Sequence, residues 1–263
     1  MKLRHVAILS GLVFAAHGVS SVEAAEKPWS FSVYVGDSIS GSGTLRKDKS
    51  VTVPTPTAID PKLAGATATV AIKKLNYEDV FNNRYAAGLE LGYAPGEHLL
   101  VYGRANYNAR QGRNREIGVL SSTALPGRHA IHARFGDSDS QSLEAGIRYL
   151  WLDDSKWRPF VGLSLGATHT DDVKASLSIA DTVLQRREVR FARSGTAFSQ
   201  TFETGVEYNP NRRLGVRLSV RADHVGEPKG ADDPTLTALG FHSNDQAYSR
   251  YSFPIAVAAV YRF

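Results

Sequence analysis

The chain of 263 residues contains no cysteine, and its one methionine is Met1. The absence of cysteine excludes a disulfide framework, a thiolate nucleophile and any cysteine-bound metal. Charge and hydrophobicity are unremarkable, because the formal net charge is +5 and 42 % of the residues are hydrophobic. Neither value selects a functional class.

The sequence also lacks long apolar runs. Beyond residue 24, no stretch approaches the roughly eighteen consecutive apolar residues that a transmembrane helix needs. Lipid offers no partners for the backbone groups at an open sheet edge. If this chain spans a membrane, it must therefore do so as a closed β-barrel.

The N-terminus has the three parts of a secretory signal peptide. Lys2 and Arg4 form a basic start, residues 6–16 form an apolar core, and small residues lead to Ala24. The core is too short to span a bilayer, which argues against the alternative of an N-terminal membrane anchor. The sequence predicts cleavage after Ala24, with residues 1–24 as signal peptide and 25–263 as the mature barrel.

The C-terminus alternates between two faces with the period of a β-strand. One face is apolar and has aromatic residues at both tips: Tyr251, Phe253, Ile255, Val257, Ala259, Tyr261 and Phe263. The opposite face is mixed and carries Arg250 and Arg262. Such a strand suits a membrane-spanning barrel. The ending resembles the C-terminal assembly signal of outer-membrane β-barrel proteins, with Tyr261 and Phe263 as its terminal aromatics.

The same period recurs along the chain and predicts eight strands. Their approximate ranges are 29–36, 85–93, 99–107, 142–151, 158–168, 198–208, 214–223 and the C-terminal strand. Three short turns alternate with four long connections, at about 37–84, 108–141, 169–197 and 224–247. Short periplasmic turns and long external loops are typical of outer-membrane barrels.

Aromatic residues lie where the strands meet the short turns and would form the periplasmic girdle: Tyr93, Tyr149, Trp151, Trp157, Tyr208 and Phe263. The alternative for eight alternating strands is a soluble, lipocalin-like barrel with apolar residues inside. The girdle, the alternating loop lengths and Phe263 favour the membrane barrel.

This all-β layout resembles the small eight-stranded outer-membrane barrels of the OmpA transmembrane-domain, OmpX and opacity-protein type. The resemblance rests on the C-terminal strand and the turn pattern, and no peptidoglycan-binding domain is expected. It implies a Gram-negative outer-membrane location, with outer-membrane lipid, lipopolysaccharide and the barrel assembly machinery as partners. An extracellular ligand is a further candidate partner, whereas a cofactor and nucleic acid are not expected.

In each predicted strand, the residues between the outward-facing ones point into the barrel. They predict a charged lumen, with these ion-pairing residues: Glu90, Arg104, Glu144, Arg148, Glu203, Glu207, Arg217 and Arg221. We expect Glu203 and Glu207 to face Arg217 and Arg221 on the neighbouring strand, and Arg104 to lie beside Glu144 and Arg148. Because an eight-stranded barrel is barely wide enough for its own side chains, these charges should form a plug. The alternative is a narrow channel lined by the same residues.

The long loops are the expected place of function. Alternation in residues 173–179, resumed by Val189 and Phe191, predicts a hairpin that extends the fifth and sixth strands. Four arginines cluster there and are candidate lipopolysaccharide contacts: Arg186, Arg187, Arg190 and Arg193. Arginine forks fit phosphate geometry. The alternative is a solvated hairpin face that prevents edge pairing.

Catalytic and metal-binding residues are weakly indicated. Asp223-His224 and His242-Ser243-Asn244 could assemble an acyl-transfer site at the outer leaflet. The lipid A deacylase family has a His-x-Ser-Asn arrangement, whereas this chain lacks the spacer and has the motif in its last loop. The external histidines, including His129 and His132, have no distinctive metal-ligand spacing.

The sequence thus predicts a non-enzymatic surface protein, acting in adhesion, envelope integrity or contact with lipopolysaccharide or host. A narrow channel is the first alternative, and a lipid A-modifying enzyme is the second.

Overall fold

The computed structural model of the chain describes residues 28–151, 156–183, 187–227, 233–239 and 249–263. The expected signal segment, residues 1–24, lies outside the described residues. The strands are β1 (Trp29–Ser42), β2 (Thr44–Arg46), β3 (Lys49–Thr52), β4 (Ala68–Ile72), β5 (Leu75–Asn76), β6 (Phe81–Tyr93), β7 (Leu99–Gly112), β8 (Asn114–Ser122), β9 (Arg128–Phe135), β10 (Ser138–Leu150), β11 (Trp157–Thr170), β12 (Val173–Ile179), β13 (Arg187–Ala192), β14 (Gly195–Tyr208), β15 (Leu214–Val225) and β16 (Arg250–Arg262).

The helical segments are short. They are α1 (Tyr77–Val80), α2 (Pro234–Ala238) and two 3-10 turns, Pro56–Ala58 and Pro61–Leu63. None of the described helices is long and apolar enough to cross a membrane.

Eight strands close into an antiparallel barrel in the order β1-β16-β15-β14-β11-β10-β7-β6. The first barrel strand closes on the last, from Ser30 opposite Arg262 to Ser42 opposite Tyr251. The predicted eight-stranded fold is confirmed. Several strands run past the predicted ends on the long-loop side: β7, for example, reaches Gly112 rather than Tyr107. The hydrogen-bonded ladder continues there although the apolar stripe on the outer face has ended.

The barrel is apolar outside and polar inside. Leu143 and Leu165 on the outer surface are 63 % and 58 % exposed, whereas Arg148 in the lumen is 0 % exposed. A soluble barrel has the opposite arrangement. The exposed apolar band is therefore the surface that lipid covers.

Aromatic pairs ring the short-turn end of this band, as the sequence predicts. The ring centroids of Trp157 and Tyr208 lie 4.5 Å apart, and those of Tyr149 and Trp151 lie 5.2 Å apart. Amphipathic rings favour the boundary between hydrocarbon and water. They set the depth at which the barrel sits in the membrane.

The long loops fold into a second sheet above the barrel, which we call the cap sheet. Its strand order is β13-β12-β9-β8-β4-β3. The predicted hairpin is present as β12 and β13, but the prediction that it extends the fifth and sixth barrel strands is wrong. It belongs to the cap sheet instead, because Asp171 and Asp172 interrupt the chain after β11 and Arg193 and Ser194 interrupt it before β14.

The inner face of the cap sheet has a hydrophobic core of its own. Every second residue of β12 is buried, including Leu177 and Ile179 at 1 % and 0 % exposure. Other loops cover this face with Leu63 from the first loop and Leu236 from α2 in the last. Because several loops share one core, the external part of the protein is a folded layer.

Asp60 links two of these loops. Its carboxylate accepts hydrogen bonds from the backbone N–H of Lys62, at 2.9 Å, and from that of Val183 in the third loop, at 3.0 Å. The Lys62 N–H bond, supported by that of Val183, holds the pKa of the Asp60 carboxyl below its usual range. The ionised carboxylate is therefore the form that connects the loops.

We expect Leu177→Ala to loosen the cap sheet while the barrel stays folded, because the change leaves a cavity in the cap core alone. Substitutions of this kind cost about 2–5 kcal/mol. Limited proteolysis of the loops should accelerate while heat-dependent gel mobility of the barrel is retained. Ser176→Ala, on the opposite face of the same strand, is the control. Equal proteolysis of both variants would contradict a shared core.

Candidate functional site

The lumen contains an ion-pair network centred on Glu90. The Glu90 carboxylate lies 2.8 Å from Arg104, 3.0 Å from Arg148 and 2.6 Å from Arg217. These four side chains come from β6, β7, β10 and β15, and all are almost fully buried. A single carboxylate thus connects opposite walls of the barrel.

Glu203 and Glu207 on β14 complete the network. Glu203 lies 2.5 Å from Arg104 and 2.9 Å from Arg148, and Glu207 lies 2.9 Å from Arg217. Glu207 also bonds Arg262 near the short-turn end. The predicted pairing of Glu207 with Arg217 is observed.

Glu203 faces Arg221 as predicted, but the two side chains do not form an ion pair. The two residues are cross-strand neighbours in the register of β14 and β15. Glu203 instead reaches across the lumen to the cations of β7 and β10, and Arg221 pairs with Asp223 on its own strand at 3.2 Å. Long side chains can choose among several partners in a narrow lumen, so strand register does not determine the ion pairs.

The predicted position of Arg104 beside Glu144 is confirmed, because the two residues lie opposite each other in the register of β10 and β7. Their side chains are 4.0 Å apart. Glu144 also accepts hydrogen bonds from Asn106 at 2.8 Å and Ser164 at 2.9 Å, and Arg148 pairs with Glu90 and Glu203. Neutral donors therefore make the shortest contacts of Glu144.

Aromatic rings fill the rest of the lower lumen. The Arg148 guanidinium lies 4.8 Å from the ring centroid of Phe160 and 4.6 Å from that of Tyr102. Gly146 leaves room for Tyr102, because a Cβ at that position would lie 2.6 Å from the ring. The alternation of their strands places both Tyr102 and Phe160 on the inward face, but it does not show that the rings pack on Arg148. Ions and rings together make this region a filled plug.

The outer face of the cap sheet carries a basic stripe along β9. Arg128, His132 and Arg134 alternate there with the buried residues of the inner face. The two arginines are six residues apart, which corresponds to roughly 20 Å along a strand. On one side of the stripe, Ser176 and Ser178 of β12 lie opposite Arg134 and His132. On the other side, Asn114 and Glu116 of β8 lie opposite the same two residues, and Glu116 pairs with Lys73 at 2.7 Å.

Of the four arginines predicted to contact lipopolysaccharide, the structure describes the side chains of Arg190 and Arg193. Arg190 lies on the outer face but pairs with Asp172 at 3.2 Å. Arg193 is exposed between β13 and β14, and Arg187 is the first residue of β13. Arg186 lies outside the described residues.

The predicted acid–histidine pair is not assembled. Asp223 faces the lumen, where it accepts a hydrogen bond from Thr201 at 3.0 Å, while His224 packs against Tyr251 with ring centroids 4.7 Å apart. Successive residues of a strand point to opposite faces, so the two cannot act on one substrate. His242 and Ser243 lie outside the described residues.

Histidines of the described loops serve other contacts. His129 Nδ1 lies 3.1 Å from an Asp181 carboxylate oxygen. Within the described ranges, no group of three or more His, Cys, Asp or Glu side chains is placed to hold a metal ion.

Tyr261 and Phe263, the expected assembly signal, are half-exposed on the outer surface of the barrel at its short-turn end. Their rings stack with centroids 6.1 Å apart. They are accessible from the membrane side of the last strand.

A closed antiparallel barrel with an apolar outer band and a charged, filled lumen defines an outer-membrane β-barrel protein. The chain belongs to the family described as outer membrane protein beta-barrel domain, whose sequence model matches residues 12–244. Its location is the outer membrane of a Gram-negative bacterium. No curated protein matches the sequence.

Several solved structures are similar to this chain at low identity. Neisserial surface protein A is 10 % identical, with a TM-score of 0.42 over 89 % of this chain and 97 % of that chain. OprG from Pseudomonas aeruginosa is 14 % identical, with a TM-score of 0.42 over 90 % and 97 %. The attachment invasion locus protein Ail of Yersinia pestis is 13 % identical, with a TM-score of 0.38 over 90 % and 99 %.

We expect Glu90→Gln to destabilise the barrel by about 3–5 kcal/mol, because three buried arginines lose their shared counter-charge. Urea unfolding in lipid vesicles, followed by heat-dependent gel mobility, measures the change. Glu97→Gln in the exposed turn is the matched control. Identical unfolding midpoints for the two variants would show that the Glu90 network does not stabilise the barrel.

Proposed function

We propose that this protein is a non-enzymatic surface protein that binds ligands through the outer face of its cap sheet. The observation that carries this proposal is the difference between the interior of the barrel and the outer face of the cap sheet. The barrel lumen is filled with ion pairs and aromatic rings, whereas the loops form a folded layer with a polar outer face. Binding outside the barrel fits this arrangement better than transport through it.

The chemistry of the outer face favours an anionic polymer. Arg128 and Arg134 on this face have no carboxylate within 4.0 Å among the described residues, whereas Lys174 pairs with Glu188 at 3.3 Å. Exposed guanidinium groups bind phosphate and sulfate in a bidentate manner. The phosphates of lipopolysaccharide are the anions nearest to such a surface, and an anionic host polymer has the same chemistry.

Two other expectations complete the proposal. The signal peptide is removed after Ala24, and the barrel assembly machinery recognises the last strand through Tyr261 and Phe263. A non-enzymatic role is supported by the orientation of Asp223 and His224, whose side chains lie on opposite faces of β15.

The double variant Arg128→Gln/Arg134→Gln should bind purified lipopolysaccharide less tightly. Each basic residue near an anionic surface contributes about 1 kcal/mol, so affinity should fall roughly 30-fold at low salt. The difference should shrink as salt screens the charges. Titration of detergent-solubilised protein with lipopolysaccharide at several salt concentrations measures this effect.

Lys62→Gln/Lys74→Gln is the control for that experiment, because it removes the same charge from exposed positions outside the outer face. If both double variants bind equally well, the stripe is not the binding surface. If only net charge matters, both will weaken together, which also contradicts the proposal.

Because the lumen is filled, we expect the refolded protein to show no ion conductance in planar-bilayer recordings. Heat-dependent gel mobility confirms that the protein applied is folded. Ser176→Ala, which changes the cap sheet and leaves the lumen unaltered, is the control variant and should give the same recordings. Discrete openings that vary with lumen substitutions such as Arg217→Gln would overturn the plug. Such openings would favour a narrow channel as the function of the barrel.

A further inference from the structure

The upper lumen contains a polar cavity between the ion-pair network and the cap sheet. Its volume is about 40 Å³, measured as the space open to the centre of a water molecule. A space of this size holds roughly three waters, and it is comparable with one small oxyanion. Arginines from three strands line it: Arg110 of β7, Arg221 of β15 and Arg250 of β16.

Two of these arginines lack an acidic partner. Among the described residues, no carboxylate lies within 4.0 Å of Arg110 or Arg250. Arg250 is 8 % exposed and donates across the barrel to the Thr170 hydroxyl at 3.1 Å. The guanidinium carbons of Arg110 and Arg250 lie 6.0 Å and 5.9 Å from the ring centroid of Tyr77. Two cations therefore converge beneath one ring.

The carboxylates that line the cavity do not contact Arg110 or Arg250. They are Asp37, Glu144 and Asp223. Asp223 pairs with Arg221 at 3.2 Å, Glu144 lies 4.0 Å from Arg104, and Asp37 is exposed. Buried charges that lack a partner are costly, and proteins normally neutralise them. Arg110 and Arg250 are therefore cations without a counter-charge in contact among the described residues.

Unused hydrogen-bond donors also face this region. The Nε of Arg221 and the Oγ of Ser199 have no hydrogen-bond partner in the structure, and each residue is 3 % exposed. Both residues line the cavity. Buried polar atoms of this kind normally have a partner, whether from protein, water or ligand. The donors and the two arginines together form a built site with hydrogen-bonding capacity for an acceptor.

The ladder of the barrel wall is interrupted beside the cavity. The pairing between β1 and β6 ends at Gly36 opposite Ala86. Beyond that pair β1 continues to Ser42 and β6 begins at Phe81, and no further pairs between these strands are present in the part of the chain that the structure describes. Asp37 and Tyr85, one on each side of this break, both line the cavity. Tyr85 is also half-exposed on the outer surface.

We propose that the upper lumen binds a small oxyanion of the phosphate class, held by Arg110, Arg221 and Arg250. The anion supplies the negative charge that Arg110 and Arg250 lack, and it accepts hydrogen bonds from the unused donors. It enters either as a free phosphate ion or as the phosphate of a lipid headgroup inserted at the break between β1 and β6. This site is separate from the basic stripe on the cap sheet.

The test compares thermal unfolding of the refolded full-length barrel in detergent with and without inorganic phosphate at constant ionic strength. A ligand that binds the folded state alone raises the midpoint, by about 5 °C when its concentration is near 100 times its dissociation constant. We expect this shift in the unaltered protein and its loss in Arg110→Gln/Arg250→Gln. The control Arg115→Gln/Arg213→Gln removes two exposed arginines that do not line the cavity, and it should keep the shift.

A second arm identifies the source of the phosphate. The same proteins are unfolded in micelles that contain either lipid A or dephosphorylated lipid A. Stabilisation by inorganic phosphate but not by lipid A assigns a free anion, and stabilisation that depends on the lipid A phosphates assigns a headgroup.

The outcomes separate cleanly. Either kind of stabilisation supports the site, provided that Arg110→Gln/Arg250→Gln abolishes it. The proposal is overturned if neither phosphate source changes the midpoint, which would leave water in the cavity. It is also overturned if the cavity variant and its control respond alike.

Discussion

The structure depends on one constraint: an eight-stranded barrel has little interior space, so charges buried in it need counter-charges close by. In the lower lumen Glu90 meets this requirement by binding three arginines from three strands. The network replaces the hydrophobic core that a soluble protein would have at this position. It also links β6 to β10 and β15, which are not neighbours in the barrel and share no backbone ladder.

Because the lower lumen is filled, the proposed binding of large ligands falls to the loops. They fold around a core of their own, and this core extends to the barrel mouth through Tyr77 and Phe81. The external layer can therefore present a flat outer face without losing its shape. The cap sheet also shields the polar upper lumen, where the balance of charge differs from that of the network below it.

Much of the barrel could be predicted from the period of two. The outward faces, the girdle and the short turns follow from it, because lipid imposes a strict alternation on every spanning strand. The cap strands were harder to recognise. In β8 the apolar run Ile117 to Leu120 does not alternate, because the register shifts between Glu116 and Gly118. Because such a bulge breaks the alternation of buried and exposed residues, a strand that contains one cannot be predicted from alternation alone.

The site was predictable in composition but not in connectivity. Parity places Glu203 and Arg221 inside the barrel, yet each side chain can reach several partners, and sequence spacing does not select among them. The arginines of the third loop illustrate the same limit, since Arg190 is engaged by Asp172. The stripe on β9 could be found only after the strand itself was known.

The shared core of the cap has a consequence for how this surface can diversify. Loops that each fold alone can vary independently, whereas loops that bury side chains against one another cannot. Along β9 and β12, the residues that face the core pack against residues of other loops, so a change in one requires a change in the other. The residues between them point outward and can be substituted without such a change. We therefore expect that natural variation under immune or phage pressure is confined to alternate positions of these strands, so that the surface changes its chemistry while it keeps its shape.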